Sequence, residues 1–189
     1  MNPASGATAL GRRDFLKLSA GSAALLSAGA FSATLAGCSQ DQPPAAGYRF
    51  LRAPDIKLFI ALAPVILDTT LPIENRASSL DALAKGIDGG CALLQAPLQK
   101  TLRQLFDLLN TGLTRRLTTG VSEPWEQASE AEIRAFLQRW ENSSIGLFNS
   151  GYRALTKLVA ATWFAGPVGL AAAGYPGPWA PMFDAVNAA

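Results

Sequence analysis

The chain contains no histidine. That removes the commonest general base, the commonest metal ligand and the usual proximal haem ligand. A Ser-His-Asp triad and a Cys-x-x-Cys-His haem site are both excluded. Cysteine is almost as scarce, with Cys38 and Cys91 the two present. Cys38 lies in a processing motif described below, and Cys91 alone cannot close an internal disulfide. It reads as a small buried apolar residue, with pairing to another subunit's thiol as the alternative. No G-x-G-x-x-G follows a strand-like run, and no phosphate-binding loop is present. Carboxylate pairs do occur, Asp81 with Asp88 and Glu130 with Glu132. Their surroundings are amphipathic and polar, which reads as solvated helix faces rather than an acid–base pair.

Net charge is also lacking. The chain carries +2 overall, and Arg12, Arg13 and Lys17 against Asp14 supply all of it. The remainder is neutral, so it has no electrostatic footprint for nucleic acid. Low charge at neutral pH favours association. Strongly apolar runs are missing too. The uncharged stretch from Leu18 to Gly37 holds Leu18, Leu25, Leu26, Leu35 and Phe31 among Ala, Gly, Ser and Thr. Leu and Phe each contribute only about −0.3 to −0.6 kcal/mol to membrane insertion. A spanning helix needs about 20 predominantly apolar residues, so this stretch would make a weak anchor.

What is there begins with that stretch. Arg12-Arg13-Asp14-Phe15-Leu16-Lys17 matches the twin-arginine export consensus. The weakly apolar run follows, and Leu35-Ala36-Gly37-Cys38 reads as a lipobox. Residues 1–37 are therefore expected to be an export signal, with Cys38 the acylated first residue of the mature chain. Ser39 after it resembles lipoproteins sent to an outer membrane. The alternative is simple cleavage nearby and an unanchored product on the periplasmic side. Either way the expected location is the cell envelope, with the translocase as one partner and the membrane, through the lipid, as another.

Residues 38–54 read as a tether broken by Pro43, Pro44 and Gly47. Tyr48, Phe50 and Leu51 on it are suited to packing on the body or on a partner. A single helical domain is expected over 55–189. Asp55 suits the cap of a first helix that is apolar almost all round, so it should be central or buried at an interface. Pro64 should kink it or mark a turn. A second helix should follow a cap at Ser78 or Ser79 and reach Gly89-Gly90, a hinge or an end before a further turn through Cys91, Leu93 and Leu94. Pro97 suits a first turn; Leu98, Leu102, Leu105, Phe106 and Leu109 then keep a 3.6 period to a C-cap at Gly112. Leu113 to Leu117 is expected to add a short turn, with Arg115-Arg116 a surface pair. Ser129 and Glu132 form a capping box before Ile133, Phe136, Leu137 and Trp140. A last long helix covers 145–164. No period-2 strand pattern appears, so the fold expected is an all-α, irregular bundle of about five or six helices.

The tail, 165–189, is rich in Gly and Pro, and the sequence predicts no helix in it. Its aromatic content, with Trp163 and Phe164 before it and Tyr175, Trp179 and Phe183 within it, has the composition of an interface core. The alternative is a tail folded back over the bundle.

A twin-arginine leader, a small helical body, Trp163-Phe164-Ala165-Gly166-Pro167 and then Gly174-Tyr175-Pro176-Gly177-Pro178 together resemble the gluconate 2-dehydrogenase subunit 3 type. These are small subunits of membrane-associated flavin dehydrogenases of the glucose–methanol–choline class. The resemblance covers the leader, the length and the last thirty or so residues; the middle shares only helical pattern. It implies a non-catalytic subunit with no cofactor of its own. FAD would sit in a large partner subunit, a cytochrome c subunit would take the electrons, and the small subunit would assist maturation and export. It also implies a partner interface at Trp163, Phe164, Tyr175, Pro176, Gly177, Pro178 and Trp179. The leader agrees on independent grounds, because the twin-arginine route carries folded cargo. The reading kept beside it is an independent helical envelope lipoprotein with a structural or binding role.

Overall fold

The computed structural model describes residues 42–175. Arg12, Arg13, Phe15, Leu16, Lys17 and Cys38 lie outside the described residues, as do Pro176, Gly177, Pro178 and Trp179. The described residues form seven α-helices and one short 3-10 turn, and no strand occurs among them. The helices are α1 (Ala53–Leu67), α2 (Arg76–Ala92), α3 (Ala96–Asn110), α4 (Gly112–Thr119), α5 (Glu130–Glu141), α6 (Gly146–Ala165) and α7 (Pro167–Ala172). The all-α expectation holds.

Helix α1 is the centre. Leu58, Phe59, Leu62, Ala63, Val65 and Leu67 are buried, and the helix packs on α2, α3, α5 and α6. Its N-terminus differs from expectation. Arg52 is the N-cap and Asp55 stands three residues inside, its carboxylate accepting the Arg52 backbone N–H at 2.9 Å. Asp55 thus closes an otherwise orphaned donor from within the first turn. Pro64 does not end the helix. The carbonyl that it cannot engage belongs to Ile60, which is 41% exposed, so water can take the place of the missing donor.

Helix α2 begins after Asn75 rather than at Ser78 or Ser79, and it runs through Gly89-Gly90 without a hinge. Buried Ile87, Asp88 and Cys91 on its inner face hold that stretch against the core, so tertiary contacts override the low helix propensity of glycine. Pro97 does sit in the first turn of α3. Gly112 opens α4 instead of capping α3, and the stretch around Leu113 to Leu117 is a full helix. The true glycine stop is Gly120, at φ +75°. Arg139 reaches across from α5 to donate to the Thr119 carbonyl at 2.8 Å, placing a cation at the C-terminal end of α4 where the helix dipole favours one. The Arg115-Arg116 pair is split: Arg115 is buried and donates to the Ser122 carbonyl, while Arg116 is exposed.

The capping box before α5 is present. The Ser129 N–H donates to Glu132 Oε2 at 2.9 Å and the Glu132 N–H to Ser129 Oγ at 3.3 Å. Its inner face carries Ile133, Phe136, Leu137 and Trp140 as the periodicity requires. Phe136, Trp140 and Phe148 then form a run of ring contacts, edge-to-face at 4.9 Å and stacked at 5.0 Å.

A further expectation, that the tail holds no helix, is overturned. The tail does contain a helix, α7, with Pro167 in its first turn. It ends in a Schellman motif: the Tyr175 N–H donates to the Leu170 carbonyl and the Gly174 N–H to the Ala171 carbonyl, each at 3.0 Å. Gly174 takes φ +67°, which glycine adopts without a steric penalty. The run Leu170 to Ala173 between the glycines is helix-forming, and the sequence reading gave too much weight to the breakers flanking it.

Two glycines on facing helices behave oppositely. A methyl group at Gly151 of α6 would stand 2.5 Å from Cζ3 of buried Trp140, whereas one at Gly90 of α2 would meet nothing within 4 Å. Gly151→Ala should therefore cost about 1–3 kcal/mol. Gly90→Ala should stabilise by about 0.5–1 kcal/mol through helix propensity. Urea unfolding of the two variants checks both signs.

Candidate functional site

Two features carry the polar chemistry and the open surface of the described residues: a buried charge network at the start of α1 and an apolar groove between α2 and α6.

The network is built from the tether and two helices, α1 and α3. Arg52 pairs with Asp55 through Nε at 2.9 Å and with Asp107 of α3 through Nη1 at 2.7 Å. Arg103 of α3 reaches Asp55 at 3.3 Å and also donates to the Phe50 carbonyl. Asn110 donates to Asp55 at 2.8 Å. Two guanidinium groups face two carboxylates, so the cluster is neutral. Burial works to lower the pKa of Arg52, but the Asp55 and Asp107 carboxylates outweigh it and the net direction is upward. Arg103 is pushed downward, by burial first and then by neighbouring Arg52. Asp55 and Arg52 are both almost fully enclosed. A carboxylate so enclosed and so bonded positions the chain; it has no open side for a substrate.

Asp88 of α2 closes the same region. It was expected on a solvated face beside Asp81, and that is corrected: it is only 4% exposed. Its carboxylate accepts the backbone N–H groups of Arg49 at 2.9 Å and of Phe50 and Leu51 at 2.7 Å each. Burial raises its pKa, but the three donors outweigh that and hold it below its ordinary 3.8. The tether is therefore an arm fastened to the body, with Phe50 and Leu51 in the core. Cys91, one turn after Asp88, is fully buried, and burial first and then Asp88 push its thiol up to about 11. The buried-thiol reading of Cys91 holds.

The groove has a different character. It encloses about 920 Å³ between α2, α6, the start of α3 and α7. Helix α2 presents Ala82, Gly86 and Gly90 at four-residue spacing, and α6 presents Ala154, Leu158, Ala161 and Ala165. These positions recur on one helix face, and their small side chains leave the space open. At Gly86 the helices nearly touch: a methyl group there would stand 2.5 Å from Thr162 Cγ2. Leu98 and Val168 line the groove while remaining about half exposed, at 48% and 47%. Lys157 is the one charged side chain among the described lining residues. With an almost wholly apolar lining, the groove is suited to holding apolar matter.

The expected interface residues divide here. Trp163 is buried and forms part of the groove wall, Phe164 is 39% exposed, and Tyr175 is 50% exposed. Phe164 and Trp163 are neighbours on α6 and point about 100° apart, so they do not share one flat patch. The sequence reading missed both the small-residue faces of α2 and α6 and the buried ion network. The i, i+4 spacing of Ala82, Gly86 and Gly90 was the available signal for the first. A charge set between apolar neighbours, as Asp107 is between Phe106 and Leu108, was the signal for the second.

Comparison with family models, with curated proteins and with solved structures finds no match to the chain. Among the described residues no helix is long and apolar enough to cross a membrane. No group of three or more Asp, Glu, Cys or His among them is arranged to hold a metal ion.

The Asp88 clamp gives a pH prediction. Its folded pKa is depressed, so its contribution is fully present above its unfolded pKa and is lost as pH falls through the folded one. Asp88→Asn should cost about 1.5–3 kcal/mol at pH 7, the worth of hydrogen bonds to a charged group. The gap to the parent should close as pH falls below 3.8. Denaturant melts at neutral and strongly acid pH measure both.

Proposed function

We propose that the chain is a non-catalytic small subunit that assists maturation, twin-arginine co-export and membrane attachment of a flavin-dependent dehydrogenase. The observation that carries this reading is the leader, Arg12-Arg13 with Phe15, Leu16 and Lys17, placed ahead of a histidine-free helical body. The twin-arginine route serves cargo that folds before export, commonly because a cofactor is inserted first. A large partner holding FAD supplies that reason, with a cytochrome c subunit as the electron acceptor. Cys38 acylation would keep the pair at the membrane on the periplasmic side, since lipid contributes about 0.8 kcal/mol per buried CH₂.

The C-terminal region supports a partner surface. Phe164, Val168 and Tyr175 leave apolar and aromatic area in water, and aromatic residues are enriched where proteins meet. Trp163 acts behind this surface, supporting α7 from the core. Pro176, Gly177, Pro178 and Trp179 continue the same composition beyond the described residues. The buried carboxylates Asp55 and Asp88 hold the body's own chain.

The test is a double Arg12→Lys, Arg13→Lys variant in the native host. The flavoprotein should remain in the cytoplasm, and dehydrogenase activity on the periplasmic side should be lost. Affinity capture of the parent chain should bring down a yellow, FAD-bearing protein. A chain that purifies alone, with every flavoenzyme still exported in the variant, would overturn the reading in favour of an independent envelope lipoprotein.

A further inference from the structure

We propose that the groove between α2 and α6 binds one long-chain fatty acid, its carboxylate at Lys157 and its chain running toward α7. This inference does not rest on the accessory-subunit reading.

Size is the first argument. At about 920 Å³ the groove lies within the range of small-molecule sites, roughly 300–1,000 Å³. From Lys157 to Ala165 the α6 lining runs about 12 Å at 1.5 Å per residue, and Pro167, Val168 and Gly169 continue the lining onto α7. An acyl chain in one leaflet of a bilayer reaches about 15 Å, half of the hydrocarbon thickness.

Polarity is the second. A peptide strand laid in the groove would bring backbone amides that need partners. The described walls offer little besides the Ser79 and Thr162 hydroxyls, since the lining is otherwise almost wholly apolar. A hydrocarbon chain needs no partner along its length. Its charged end does, and the groove has a matching asymmetry. Lys157 is exposed near one end, with no carboxylate paired to it among the described residues. At the other end α7 packs against α6, where a methyl group at Gly169 would stand 2.2 Å from the Trp163 carbonyl.

A third observation comes from the indoles. Trp125 and Trp140 donate their N–H to the Leu109 and Thr118 carbonyls. The Trp163 N–H is buried with no partner among the described residues. A buried indole donor usually finds one; this wall thus holds one of the buried polar atoms that the described body leaves without a partner, as it also does at Asn110 Oδ1 and Arg115 Nε.

The experiment titrates the purified full chain with cis-parinaric acid, a fluorescent fatty acid, and displaces it with palmitate. Saturable one-to-one binding is expected. Lys157→Met should weaken palmitate about two- to fivefold, the worth of an exposed ion pair, and leave cetyl alcohol unchanged. Gly90→Leu should abolish binding of both. Its side chain enters open space, and leucine is a better helix former than glycine, so the variant should fold, which thermal melting checks. Palmitate that fails to bind, or that binds Gly90→Leu equally, overturns the proposal. Binding that appears only after residues 176–189 are removed assigns the groove to that segment and also overturns it. A halved mass of Gly90→Leu in light scattering does the same in favour of a second copy of the chain.

Discussion

The Asp88 carboxylate and the Arg52–Asp55 pair together decide how the body is held. One side chain on α2 binds three successive amides of the arm at 2.7–2.9 Å. One residue later Arg52 turns inward to Asp55 and Asp107. The arm cannot leave without uncovering Phe50 and Leu51 and breaking charge-assisted bonds, which are roughly twice as strong as neutral ones. The register of α1 follows from this, because Arg52 is its cap. From the register of α1 follow the faces that it offers to four other helices.

A buried neutral cluster of this kind is not a source of large net stability, since desolvating two ion pairs costs about as much as their attraction returns. Its effect is selective. Any other register of α1 would leave Asp55 or Arg52 without its partner in an apolar interior. The hydrophobic core supplies the drive through residues such as Phe59, Phe106, Phe136 and Trp140, all at or below 1% exposure. The ions choose among the packings that the core would accept. The glycines act in the same direction where space is short: Gly151 admits the ring of Trp140, and Gly86 admits Thr162.

Helical class, the capping box at Ser129, the first-turn Pro97 and the inward face of α5 were legible because they depend on neighbours within a few residues. Helix boundaries were legible only within a turn. Ser78 looked like a cap, yet α2 starts at Arg76, and Gly112 looked like a stop, yet it starts α4. Asp88 was misread because its partners lie 37 to 39 residues away on an arm, and local amphipathicity cannot register such a partner. Arg115 failed for the same reason: its acceptor at Ser122 lies on a loop. The groove was not legible at all as a shape. Small residues at four-residue spacing signal a face, but whether a neighbour fills it depends on where other helices sit. Of the aromatic residues at the tail, Phe164 and Tyr175 lie at the surface and Trp163 turns inward, a division that composition cannot register.

Cys91 has a use that follows from its burial. With no exposure in the folded body and a thiol pushed up to about 11, it reacts through the thiolate only when the surrounding helices part. Its alkylation rate is therefore a clock for opening of the core. The same silence leaves the rest of the body free for spectroscopic labels placed on engineered thiols, with no background from the native one.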